Sequence, residues 1–95
     1  MVTFNLEVHP GEILREQMEE MGLSANALGG RIGVPANRVS TILRGSRSIT
    51  ADTALRLGRF FGQSPEFWLN LQQAYDLAVA RREIARELKR IRRAS

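Results

Sequence analysis

"GVPANRVSTILRG", residues 33–45, reads as a short helix with a stop at each end. Gly33 can take the positive φ that ends a preceding helix, Pro35 brings a φ already set for a new one, and Gly45 closes the far end. Between the stops, Val39, Ile42 and Leu43 form one apolar stripe at helical spacing. The other face carries Ala36, Asn37, Arg38, Ser40, Thr41 and Arg44, with no acid among them. A helix of about two and a half turns is marginal alone in water, so neighbouring elements must hold it.

The stretch just upstream supplies one neighbour. Ser24 is a good N-cap for a helix over 25–32, with Ala25, Leu28 and Ile32 facing in and Gly33 ending it. Two helices of about two turns, joined at Gly33–Val34, must cross steeply, which is the helix-turn-helix arrangement. Gly29 provides a small residue at the crossing, while Val39 and Ile42 anchor the second helix from beneath. A helix mounted in this way can lower its outer face into a DNA major groove, where small polar side chains let backbone and bases approach. Asn37 can bond an adenine edge at two points, the methyl of Thr41 or Ala36 can meet a thymine methyl, and Arg38 can read guanine or take a phosphate. Ser24, Asn26, Arg44 and Arg47, at helix ends and in the following loop, are placed for backbone phosphates.

Working outward, Pro10 opens a helix through about Met21, with Ile13, Gln17/Met18 and Met21 at helical spacing, and Gly22 stops it. Thr50 caps a helix over 51–61, where Ala54, Leu55, Leu57, Gly58 and Phe61 are expected to pack inward before Gly62. Ser64–Pro65 forms an N-cap and first helical residue. From there the sequence has no breaker to its end, which predicts one long last helix. Residues 2–8, "VTFNLEV", alternate Val2, Phe4, Leu6 and Val8 against Thr3, Asn5 and Glu7, a strand pattern. A lone strand pairs with its own copy in a dimer or with another protein, or stays frayed. The expected fold is therefore all-α. It is a five-helix, repressor-like bundle with a short N-terminal extended strand and a long C-terminal helix. Its parts are an extended segment over 1–9, the helix-turn-helix domain over 10–79 and a basic helical extension over 80–95.

Totals narrow the function. Ninety-five residues make one domain with a thin core, for which oligomerisation would help. The net charge of +4 is patterned: residues 1–21 sum to −4, residues 22–49 hold four arginines and no acid, and residues 80–95 sum to +5. Two basic blocks suit a polyanionic partner. Zero cysteines exclude a disulfide scaffold, a thiolate nucleophile and cysteine-ligated zinc. No run of about 18 apolar residues and no leader is present, so no membrane partner and a cytoplasmic address are expected. The single histidine, His9, stands beside Glu12 but directly before a helix-opening proline, with no nucleophile or ligand set around it. A structural place at the helix start is its expected role, with no metal, cofactor or catalytic site. In "FWLNLQQAY", Phe67 and Leu71 are expected in the core, whereas Trp68 and Tyr75 have polar tips that suit an interface. Leu77, Ile84 and Ile91 recur every seven residues, with Leu88 beside them. This seam, sparse and edged by Arg81 and Glu87, favours contact with a second copy. Paired reading helices about 34 Å apart would match successive major grooves.

The helix-turn-helix resembles the phage-repressor and Cro type. The flanks are more specific: "HPGEIL" (9–14), "ITADTALRL" (49–57) and "SPEFWLNLQQAYDL" (64–77) closely resemble the HigA family of addiction-module antidotes, from about His9 to Ala80. The resemblance implies the antitoxin of a type II toxin–antitoxin pair. Such a protein neutralises a HigB-like toxin, a ribosome-dependent mRNA endonuclease, and as a homodimer represses its own operon by binding double-stranded operator DNA. Gly29–Gly30 departs from a good helix interior, at about 1 kcal/mol per Gly relative to Ala. The alternative readings are a helix-turn-helix repressor without a toxin partner and a protein-interaction module.

Overall fold

The computed structural model describes residues 7–94. It contains α1 (Pro10–Met21), α2 (Ala25–Ile32), α3 (Ala36–Leu43), α4 (Ala51–Phe61), α5 (Pro65–Glu83) and α6 (Ala85–Lys89). Polar caps open α2, α4 and α5: Ser24 accepts from the Ala27 amide, Thr50 from Thr53 and Ser64 from Phe67. His9 caps α1 with its ring, Nδ1 accepting from the Gly11 amide at 2.9 Å. Pro35 takes the N-cap position of α3 itself, one step earlier than a first helical residue, and makes no side-chain cap bond there.

Leu14, Leu28, Val39, Ile42, Leu57 and Trp68 are buried together with smaller neighbours in one core, onto which α1 to α5 each turn a stripe. Two backbone approaches set the mounting of α3. A Cβ at Gly29 would lie 2.8 Å from the Val34 carbonyl oxygen, and one at Gly11 would collide with that of Ile42. The absence of side chains at these points lets α2 and α1 close on α3 from two sides.

The described residues differ from several of these expectations. Among the described residues there is no strand; Val2–Leu6 of the proposed strand lie outside them, and Glu7 and Val8 have no regular structure. The last helix is not continuous, because Ile84 (φ −111°, ψ 22°) leaves the helical region and separates α5 from the short α6. Leu55 faces out from α4 at 59% exposure, and in α1 Leu14 and Met18 supply the core while Met21 is exposed. Trp68, expected at an interface, is wholly buried in the core and is no surface interface residue. Its ring meets Phe61 and Phe67, and its one polar atom, Nε1, donates to Gln63 Oε1 at 3.0 Å, so it needs neither water nor a partner. Its neighbour Phe67, expected inside, is the exposed one.

Candidate nucleic-acid interface

The underside of α3 is fixed by Val39 and Ile42, both buried, and arginines from two other helices hold the turn that precedes it and its C-terminal end. Arg56 of α4 donates Nη1 to the Ile32 carbonyl at 2.8 Å and lies 3.4 Å from that of Gly33, closing the end of α2 at the turn. At the far end Arg15 of α1 reaches the Leu43 carbonyl at 3.4 Å. Cations suit the C-terminal carbonyls of helices, where the macrodipole is negative. Gly33, at φ 77°, makes the tight turn between these tied elements.

On the outer face Asn37 is exposed, and Ala36, Arg38 and Thr41 are half-buried. The Thr41 hydroxyl donates back to the Asn37 carbonyl at 2.7 Å, so its methyl is the group left for an outside contact. Arg38 is not free: its Nη1 bonds Asp52 Oδ1 at 2.8 Å, and the same oxygen accepts Arg56 Nε at 2.7 Å. The two guanidiniums, Arg56 first, hold the Asp52 carboxyl below its usual range. Ser24, Asn26, Arg44 and Arg47 are all exposed, at the start of α2 and in the segment after α3. Ser24 uses its oxygen as the α2 cap and keeps its O–H for an outside acceptor.

The segment after α3 is pinned to the body by two buried groups. Gln72 of α5 accepts the Ile49 amide at 2.7 Å on Oε1 and donates Nε2 to Asp76 at 2.9 Å. His9 packs its ring edge against Tyr75 with centroids 5.0 Å apart, touches the Arg47 backbone, and lies within 4 Å of where a Cβ of Gly45 would stand. Burial pulls the His9 imidazole below its ordinary pKa, while Asp76, Glu12 and the Arg47 backbone act in the opposite sense.

Sequence reading brought out none of Asp52, Arg56, Arg15 and Gln72. A signal existed for two of them: Asp52 and Arg56 stand at i, i+4 in the opening turns of α4, the spacing of a helix ion pair. Gln72 is a polar residue four places after Trp68, on the stripe that enters the core. Behind the turn, a groove of about 560 Å³ runs between α2 and α4, lined by Arg31, Ile32, Leu55, Arg56, Arg59 and Phe60. Its wall carries exposed Leu55 and no acid.

Of the expected contact residues in the C-terminal part, Leu77 and Ile84 are exposed at 43% and 44%, and Leu88 and Ile91 are exposed as well. Tyr75 is half-buried against His9. Arg82 grips Glu7 through two parallel bonds of 2.8 and 2.9 Å, so this tail cation is committed within the chain. Among the described residues no helix is long and apolar enough to cross a membrane.

The helix-turn-helix family model matches residues 14–68. The antitoxin HigA-1 of Vibrio cholerae is 41% identical over 83 residues, 86% of this chain and 78% of its own length. An addiction-module antidote of the HigA family from Coxiella burnetii superposes with a TM-score of 0.89 at 50% identity, over 92% of this chain and 97% of that one. The chain belongs to the HigA family. Another HigA structure, the Pseudomonas aeruginosa antitoxin solved with the higBA promoter, also gives a TM-score of 0.89, at 41% identity over 94% of this chain and 99% of that one.

Proposed function

We propose that this HigA-family chain is the antitoxin of a type II toxin–antitoxin pair, a sequence-specific repressor of its own operon that also neutralises a HigB-like, mRNA-cleaving toxin. It acts in the cytoplasm and by binding alone, without catalysis. The observation that carries this reading is the acid-free outer face of α3, held at the preceding turn and at its C-terminal end and close-packed beneath, in a family with a member solved on its promoter. Asn37, with Ala36, Thr41 and Arg38, faces base edges; Ser24, Asn26, Arg44 and Arg47 face phosphates on either side. Residues 10–79 form the DNA-binding domain. The exposed stripe of Leu77 and Ile84, prolonged into the basic extension over 80–95, joins two copies, with Tyr75 at its edge. Two copies bring two reading helices to successive major grooves.

The test is fluorescence anisotropy of a labelled duplex carrying the operon's own upstream region, against a scrambled duplex, across a salt series. Tight, selective and salt-sensitive binding is the expected result. Equal affinity for both duplexes would overturn the repressor function and move the basic surfaces to an acidic protein partner. Co-expression with the adjacent toxin gene, followed by growth and co-purification, tests the neutralising half.

A further inference from the structure

The acid closest to the reading helix stands on a different helix. Asp52, in the first turn of α4, holds Arg38 Nη1 and Arg56 Nε on a single oxygen, and Arg56 is itself anchored to the Ile32 carbonyl. One charged chain thus runs from the end of α2 through the start of α4 to the first turn of α3. The pair lies at the surface, with the Arg38 side chain 29% and that of Asp52 56% exposed, within reach of a duplex lying on α3.

We propose that Asp52 sets operator specificity without touching DNA: it occupies the Arg38 guanidinium as a stand-in for a phosphate oxygen, so that Arg38 passes only to DNA that seats α3 in register. Non-specific binding is driven by cations that neutralise phosphates and release counterions, and it needs no fit. A carboxylate 2.8 Å from such a cation cancels its charge for any phosphate that approaches without displacing the pair, which weakens loose complexes most. An exposed ion pair is itself weak, so a well-fitted complex can exchange it for a phosphate or guanine contact. Arg56 makes the device directional: anchored at the α2–α3 turn, it keeps Asp52 in place when Arg38 leaves. This inference rests on the reading of α3 as the DNA-facing helix.

Asp52→Asn keeps the side chain's shape and removes its charge. In the same anisotropy assay, Asp52→Asn should tighten binding to the scrambled duplex, with its slope of log affinity against log salt steeper by about 0.9. Affinity for the upstream duplex should rise less, so that the ratio between the two falls several-fold. In an Arg38→Ala background, Asp52→Asn should leave slope and ratio unmoved. An unchanged ratio, an effect that persists without Arg38, or equal weakening on both duplexes with a lower melting temperature would each overturn the proposal. A wild-type chain with no preference for its upstream region overturns the proposed function and this inference together. A wild-type preference with any of those three results overturns this inference alone.

Discussion

The outer face of α3 and the outer face of α5–α6 are both left uncovered by the fold, yet they are built in opposite ways. On α3 the exposed groups are small and polar, every large apolar side chain is turned inward, and arginines from α4 and α1 hold the α2–α3 turn before it and its last turn. On α5–α6 the exposed groups include Leu77, Ile84, Leu88 and Ile91, and α6 contributes nothing to the core. The first surface is rigidly presented and gains from being wet, as a face that exchanges water for base edges must be. The second is an apolar stripe without a cover, which is how a contact between copies looks in one copy. Gln72 and Tyr75 join the two, because both sit on α5 and hold, directly or through His9, the segment that follows α3.

The largest effect should come from breaking the second surface. Leu77→Glu with Ile84→Glu should give a monomer by sedimentation and lower operator affinity by on the order of 100-fold, since the second half-site otherwise binds at a millimolar effective concentration. Helix content should hold, as neither side chain is in the core; a dimer that survives would break the comparison. On the first surface, Asn37→Ala should remove roughly 1–3 kcal/mol of discrimination at one base pair, read by competition with operator variants. Arg44→Ala and Arg47→Ala should instead weaken all duplexes alike, each lowering the salt slope by about 0.9. Loss of sequence preference in the arginine variants, or none in Asn37→Ala, would mean that base and phosphate roles are exchanged.

Two adjacent glycines sharpen the account of how α3 is mounted. Gly29→Ala drives a Cβ against the Val34 carbonyl oxygen and should destabilise by roughly 1–3 kcal/mol. Gly30 faces open space, with nothing within 4 Å of an added Cβ, and Gly30→Ala should stabilise by about 1 kcal/mol. Chemical denaturation of the two variants gives both values, and equal shifts would show that the α2–α3 crossing is looser than described. The smallest effect is in pH. Because burial holds His9 below its ordinary value of about 6.5, the unfolded chain takes up this proton more readily than the folded one. This contribution to stability is intact above that pH and declines as pH falls below it. His9→Gln, which cannot gain the proton, should flatten the melting-temperature profile over that window.

Helix boundaries were the most legible feature, because their signals are local. Ser24, Gly33, Thr50, Gly62 and Ser64 act within one turn of themselves, and α2 and α4 begin and end where those residues say. What failed depends on which way a helix is rolled. Phe67 and Trp68 are about 100° apart on one helix, and the polar tip of Trp68 pointed to the surface because its partner, Gln63 Oε1, is brought to it only by the fold. The break at Ile84 has no glycine or proline to announce it. At the interface, the exposed polar positions of α3 could be read from spacing. The commitment of Arg38 to Asp52, fourteen residues on and in another helix, arises only once α3 and α4 are packed.

The side chains most exposed on α3 support nothing else. The Asn37 amide makes no bond to the described fold, and the Thr41 hydroxyl bonds only its own helix. At the two proposed reading positions 37 and 41, unlike at Arg38, the side chain is therefore separable from the scaffold that carries it. Duplicated genes can drift apart at positions 37 and 41 at little risk to folding. Paralogous modules sharing one genome can in this way become insulated from one another's promoters while keeping a common frame.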